Sequence, residues 1–179
     1  MAIEPPVTFP DDWRRKPNAA VQKAIDEAAK EYGIDAELLY GIARRETQFN
    51  PNKVGEKHGG NNDTYADSYA KYKADKIPGS SMTWSEMFST PESWRPYGYM
   101  QLNPYHLVGR GKFVKAGAPL SQLFNIRNQA RAAAKYLVYC FKQAGGDWTK
   151  AILKYNGSTD YRRDVAQNMI ELRTANGVA

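Results

Sequence analysis

The longest helical pattern of the chain runs from Asn125 to Ala144, and it constrains the fold more than any other segment. Apolar residues recur there every three or four positions, which places them on one face of a helix: Ile126, Ala130, Ala133, Leu137, Cys140 and Phe141. Gly145-Gly146 follows directly and predicts the end of the helix. We expect this segment to be the central helix of a helical core.

Four further segments show the same spacing, at about 19–32, 36–46, 147–157 and 160–173. No segment alternates polar and apolar residues for long enough to predict a strand, although the glycine-rich stretch after residue 55 has room for a small hairpin. With 179 residues and 42% hydrophobic content, the chain is long enough to bury one core. The sequence therefore predicts a mainly α single domain over 18–179, preceded by an extended, proline-rich arm over 1–17.

Glu46 is the most informative polar residue, because it ends the second of these segments. Leu39, Ile42 and Ala43 form the apolar face, and Glu46 continues that face at i+7 and i+4. A carboxyl that points inward is poorly solvated, so its pKa rises towards the range that a general acid needs. The alternative interpretation is that Glu46 only ends an exposed helix beside Arg44 and Arg45.

The stretch 55–94 contains signals for short helices between Glu46 and the next motif. Tyr65, Tyr69 and Tyr72 recur at i, i+4 and i+7, and Thr83 to Glu86 reads as a capping box. We therefore predict a structured flap. Its tyrosines either pack the flap onto the main body or stack on sugar rings along a groove.

Charge and residue counts exclude several functions. The net charge of +6 favours polyanions in general, but no basic cluster has the spacing of a nucleic-acid motif. No apolar run approaches a membrane span, and the first thirty residues lack a signal-peptide pattern. His58, His106 and the single Cys140 make no metal-ligand cluster, so we expect neither a metal nor an organic cofactor.

Four short motifs occur in an order that resembles one enzyme family. They are Glu46-Thr47-Gln48-Phe49-Asn50-Pro51, Gly98-Tyr99-Met100-Gln101-Leu102-Asn103-Pro104, Phe124-Asn125-Ile126 and the segment from Ala151 to Tyr155-Asn156-Gly157. Together they resemble the soluble lytic transglycosylases, whose fold is shared with goose-type lysozyme. Thr47 replaces the usual Ser, and 55–94 makes the distance from Glu46 to Gln101 much longer than is typical of the family. The resemblance implies a lysozyme-like helical domain with a long insertion.

By that resemblance, Glu46 is the single catalytic acid and base. It would cleave the β-1,4 bond between N-acetylmuramic acid and N-acetylglucosamine in peptidoglycan, leaving a 1,6-anhydromuramyl end without a metal or cofactor. The residues implied for substrate binding are Thr47, Gly98, Tyr99, Met100, Gln101, Tyr155 and Asn156.

Two alternative functions stay open at this point. In the first, the protein has the same fold but hydrolyses the bond as a muramidase, with a second carboxylate from Glu56, Asp63, Asp67 or Asp75. A non-catalytic protein that binds glycan or assembles into a virion is the other alternative. Because we find no signal peptide, we expect a virion-associated protein, a phage endolysin or an enzyme delivered to the periplasm or cell wall by secretion machinery, with other proteins of that machinery as possible partners.

Overall fold

The computed structural model describes residues 6–55, 64–110 and 112–178. The described residues form eight α-helices and two 3₁₀ turns, which confirms the mainly helical class. The α-helices are α1 (Ala19–Tyr32), α2 (Ala36–Thr47), α3 (Thr64–Tyr72), α4 (Trp84–Met87), α5 (Pro104–Leu107), α6 (Ile126–Gln143), α7 (Trp148–Asn156) and α8 (Thr159–Ala175). The 3₁₀ turns are Pro91–Trp94 and Leu120–Phe124. Backbone pairing outside the helices is limited, in this part of the chain, to isolated bridges such as Val54 with Tyr97.

Helix α6 is the central helix, as its periodicity predicts. It packs against α1 on one side and α7 on another, while α2 packs mainly against α8. The interior positions Ala130, Ala133, Leu137 and Cys140 are fully buried, whereas Ile126 and Phe141, near the two ends, are partly exposed. This arrangement brings the end of α2 and the start of α8 together, and the Glu46 side chain lies between them.

The helix ends follow the local signals with one exception. Gly33 adopts a left-handed conformation after α1, and the Asp147 side chain accepts a hydrogen bond from the Lys150 backbone at the start of α7. Asp35 precedes α2 with extended backbone, but its side chain makes no capping hydrogen bond. The Asp35 carboxylate lies instead 4.0 Å from the Arg173 guanidinium on α8.

The described part of the flap, residues 64–94, has a small aromatic core of its own. Trp84 and Phe88 meet Trp94 edge-on, at ring distances of 5.0 and 5.3 Å, and all three rings are buried. Tyr69 of α3 packs on Trp94 at 6.2 Å, and Tyr72 stacks on Tyr105 at 5.6 Å. These two tyrosines therefore pack the flap together and onto the main body, as the packing interpretation states.

Residues 6–17 are extended, but they are packed onto the helices. Trp13 is buried, and its indole Nε1 donates a 2.8 Å hydrogen bond to Glu171 on α8. The backbone N–H of Thr8 donates to the Asn176 side chain at 2.8 Å. Phe9 packs on Tyr40 of α2 at a ring distance of 5.2 Å, so the segment connects the end of α8 to α2.

No helix in the described residues combines the length and the apolar character needed to cross a bilayer.

Candidate active site

The backbone turns sharply shortly after Glu46, where α2 ends. Gln48 and Phe49 both have positive φ, at 51° and 63°, and the Gln48 N–H closes the end of α2 on the Ala43 and Arg44 carbonyls. Phe49 is then buried against Trp13 and Tyr40. Left-handed backbone costs energy at residues other than glycine, so tertiary packing must stabilise it here.

The Glu46 carboxyl is partly buried and has one direct partner among the described residues. The Tyr161 hydroxyl, in the first turn of α8, donates a 2.8 Å hydrogen bond to Glu46 Oε1. Burial raises the pKa of Glu46 from 4.5 to about 7, although the hydrogen bond from Tyr161 and the charge of Arg45 lower it. A carboxyl with this pKa is partly protonated at neutral pH, which a general acid requires.

Tyr155 lies beside this pair. Its ring stacks on that of Tyr161 at 6.4 Å, and burial, together with the charge of Glu46, raises the pKa of its phenol. The Tyr155 hydroxyl is buried and finds no hydrogen-bond partner in the described part of the protein. A buried donor without a partner is costly and is therefore a good candidate for binding a ligand close to Glu46.

The loop from Gly98 to Gln101 lies against the end of α2. The Thr47 hydroxyl donates to the Tyr99 carbonyl at 3.1 Å and accepts from the Asn50 N–H at 3.1 Å. Thr47 therefore connects the end of α2 to the loop, rather than bonding to the Glu46 carboxyl.

The side chains of this loop are mostly turned into the protein. Tyr99 and Met100 have no exposed surface, and the Tyr99 hydroxyl donates to the Ile126 carbonyl at 2.9 Å. Gly98 has a φ of 72°, and an added Cβ would lie 2.4 Å from the Gln129 side chain. These three residues form the floor behind the site.

Gln101 is the third residue with positive φ outside glycine in the described residues, at 46°. Its amide nitrogen donates to the Gly98 carbonyl at 2.8 Å and to the Lys53 carbonyl at 3.3 Å. All three strained residues, Gln48, Phe49 and Gln101, thus lie on the two segments that meet beside Glu46. Such strain is concentrated at functional sites in many proteins.

Asn156, the remaining residue implied for binding, is exposed at the last position of α7. Of the residues implied for binding, Tyr155 lies against Tyr161, the hydrogen-bond partner of Glu46. Thr47 and Gln101 hold the backbone, and Tyr99 and Met100 are buried.

Sequence reasoning missed Tyr161, which makes the direct contact to Glu46. A signal was present, because Tyr161 extends the face formed by Val165, Met169 and Leu172 by one helical turn. The predicted apolar face begins at Val165 and so leaves Tyr161 out.

A basic groove of about 370 Å³ opens over Glu46. Its lining includes five cations, which are Arg14, Arg15, Arg44, Arg45 and Lys53. Arg45 forms a 2.8 Å ion pair with Asp164, and Arg44 lies 4.1 Å above the Trp13 ring. The groove favours an anionic or polar ligand.

Among the described residues, no carboxylate contributes to the pKa shift of Glu46. Asp67 and Asp75, two of the candidates for a second carboxylate, are exposed in α3 and the turn after it. Glu56 and Asp63 lie outside the described residues, as does His58. The described residues also form no cluster of His, Cys, Asp and Glu that could hold a metal ion.

The fold and the site define a mainly helical domain with one acidic side chain held in a basic groove. The family model of the Transglycosylase SLT domain matches residues 23–175, so the chain belongs to this family. The lysozyme-like fold class is confirmed by this match, and membership implies lytic-transglycosylase-type activity with peptidoglycan as the substrate. No curated protein and no solved structure gives a significant match to the chain.

Proposed function

We propose that the protein is a peptidoglycan lytic transglycosylase in which Glu46 is both the acid and the base. It cleaves the β-1,4 bond between N-acetylmuramic acid and N-acetylglucosamine and forms a 1,6-anhydromuramyl end. The observation that supports this most is the environment of Glu46, a carboxyl whose pKa burial raises to about 7 and which accepts a hydrogen bond from the Tyr161 hydroxyl.

In the first step, protonated Glu46 donates its proton to the glycosidic oxygen while the bond from that oxygen to muramyl C1 breaks. The N-acetyl carbonyl of the same muramyl residue stabilises the positive charge that develops at C1. The N-acetylglucosamine side leaves with a new hydroxyl group. Glu46 is left as a carboxylate, which the hydrogen bond from Tyr161 stabilises.

In the second step, the Glu46 carboxylate removes the proton from the muramyl 6-hydroxyl. The 6-oxygen then attacks C1 and closes the anhydro ring, so no water is consumed and Glu46 is protonated again. One carboxyl is enough for this sequence, whereas most glycosidases need two.

We assign direct contacts with the substrate to Tyr155 and Asn156. The Tyr155 hydroxyl is a buried donor without a described partner, and Asn156 presents an exposed amide at the end of the same helix. Thr47, Gly98, Tyr99, Met100 and Gln101 act on the substrate through the shape of the floor that they form.

We also propose the cell wall as the place of action, reached within a phage particle or through secretion machinery. The peptidoglycan substrate of the family supports this placement.

The test is the clearing of purified peptidoglycan by the wild type, by Glu46→Gln and by a control, Glu27→Gln on the exposed surface of α1. Loss of the general acid should lower the rate about a hundredfold or more. Glu27→Gln should keep the wild-type rate, because its carboxylate makes only exposed ion pairs with Lys23 and Arg127. Clearing by Glu46→Gln at a rate close to that of the wild type would refute the assignment.

A further inference from the structure

A row of aromatic rings leads from Glu46 to a second cavity. The Tyr155 ring, which stacks on Tyr161, also contacts Tyr136 at 5.1 Å, and Tyr136 contacts the His106 ring at 4.1 Å. Beyond these rings lies a cavity of about 350 Å³ between α5 and α6. We call it the Tyr139 pocket; its lining is Tyr105, His106, Lys112, Ala132, Lys135, Tyr136 and Tyr139.

The aromatic rings of the Tyr139 pocket are unusually exposed. Tyr139 is 55% exposed and Tyr105 is 41% exposed, and both are among the few large hydrophobic residues on the described surface. The Tyr139 ring lies nearly parallel to that of Tyr136, with 15° between the planes. Flat, accessible aromatic faces beside polar groups are suited to the apolar faces of sugar rings.

Two ammonium groups lie at the same pocket. Lys112 Nζ lies 5.2 Å from the Tyr105 ring, and Lys135 Nζ lies 5.6 Å from the Phe113 ring. Burial and the charge of Lys135 lower the pKa of Lys112, so the two cations are close enough to repel each other. No carboxylate of the described residues forms an ion pair with Lys112. An anion beside Lys112 would relieve this repulsion.

His106 does not add a third charge. Burial and the charge of Lys112 lower its pKa to about 4, so its ring is neutral near neutral pH. It offers the pocket a hydrogen-bonding edge.

We propose that the Tyr139 pocket binds an acidic part of the glycan strand whose scissile bond lies at Glu46. A sugar ring stacks on Tyr139 and Tyr136, and a carboxylate of the muramyl substituent pairs with Lys112. This inference rests on the proposed function, because the aromatic row connects the pocket to Glu46. The carboxylate belongs either to the lactyl ether of a muramyl residue without peptide or to the peptide attached to it.

The experiment measures binding by calorimetry in a Glu46→Gln background, where the ligands are not cleaved. The ligands are an uncharged oligosaccharide of β-1,4-linked N-acetylglucosamine, a glycan with free lactyl carboxylates and a glycan that keeps its peptides. Lys112→Gln should weaken binding of one or both acidic glycans about fivefold or more and leave the uncharged ligand unchanged. Tyr139→Ala should weaken binding of all three ligands, because each presents sugar rings.

The matched control is Lys115→Gln, an exposed lysine three positions further along the chain and outside the pocket. It should change no affinity. The acidic glycan that binds more weakly to Lys112→Gln identifies the source of the carboxylate. Unchanged affinity of both acidic glycans in Lys112→Gln, or an equal loss in Lys115→Gln, would overturn the proposal, as would the absence of any glycan binding.

The two proposals fail in different ways. If the wild type cleaves peptidoglycan but Lys112→Gln binds acidic glycans normally, only the pocket is wrong. If the pocket variants behave as expected but the wild type cleaves nothing, the binding site stands and the transglycosylase activity is wrong.

Discussion

At the scale of single residues, the proposed chemistry depends on how the protein sets the protonation of Glu46. Burial favours the neutral acid, and the Tyr161 hydroxyl and Arg45 favour the carboxylate. The balance leaves a pKa of about 7, which allows the same group to donate a proton and then accept one.

Tyr161→Phe removes the hydrogen bond that favours the ionised form of Glu46, so the pKa of Glu46 should rise further. In the wild type, the rate of cleavage should fall as the pH rises above about 7, because the acid loses its proton. In Tyr161→Phe, that fall should move to higher pH. The measurement is the pH profile of kcat/KM, and an unmoved or lowered profile would contradict the assigned role of Tyr161.

Glu46 also makes stability depend on pH. The pKa of Glu46 is higher in the folded protein than the ordinary value of 4.5. Its ionisation therefore leaves the free energy of unfolding unchanged below about pH 4.5 and lowers it as the pH rises towards about 7. Glu46→Gln cannot ionise and escapes this loss. Its free energy of unfolding should exceed that of the wild type by roughly 1 to 3 kcal/mol at about pH 8, and should match it at about pH 4.

Urea unfolding at both pH values tests this prediction. The Glu27→Gln control should show no such pH-dependent gain. A gain of equal size at both pH values would mean that packing, and not ionisation, distinguishes the variant.

At the scale of structural elements, the loop from Gly98 to Gln101 positions the end of α2. Gly98 combines left-handed backbone with direct contact to Gln129, whereas Gly145, at a φ of 66°, has nothing within 4 Å of an added Cβ. Replacing each of the two glycines in turn therefore separates the energetic cost of the backbone conformation from the cost of a steric clash.

Gly98→Ala should lower the free energy of unfolding by about 2 to 4 kcal/mol, because it adds overlap with Gln129 to the strain of left-handed backbone. Gly145→Ala should cost only about 1 kcal/mol. Activity per folded molecule should fall in Gly98→Ala alone, since the loop bears on Thr47. If Gly98→Ala and Gly145→Ala lost the same stability and the same activity, the floor would not depend on this close contact.

The helices themselves were largely predictable, because their signals are local. The spacing in 125–144 and the glycines at 145 and 146 predict α6 to within a residue at each end. The contacts between elements were not predictable in this way. Tyr161 and Glu46 are 115 positions apart, and nothing in the spacing of either helix states which faces meet.

The roles of polar side chains were also hidden from the sequence. Gln101 and Thr47 carry groups that suit a ligand, but their donors are bonded to backbone carbonyls in this fold. Only the three-dimensional arrangement separates these two from Tyr155, whose hydroxyl has no described partner.

At the scale of the whole molecule, residues 6–17 contribute to the site although they lie far from it in sequence. Trp13 stacks on Phe49 at 5.9 Å and under the Arg44 guanidinium at 4.1 Å. Phe49 is one of the left-handed residues that follow Glu46, so the segment supports the strained end of α2.

Trp13→Ala should lower the free energy of unfolding by about 3 to 5 kcal/mol, because it leaves a cavity among these rings. Asp11→Ala is the control, since its ion pair with Lys16 is exposed and should contribute about 0.5 kcal/mol or less. Urea denaturation measures both. If Trp13→Ala lost no more free energy of unfolding than the control, residues 6–17 would not support the end of α2.

Mass spectrometry of the glycan fragments tests the proposed product of cleavage most directly. Purified peptidoglycan digested by the wild type should give fragments ending in 1,6-anhydromuramic acid, each lighter by one water than the corresponding reducing end. Glu46→Gln should give none of them. Fragments that end in reducing muramic acid would establish hydrolysis, and a wild type that releases no fragments would contradict an enzymatic role altogether.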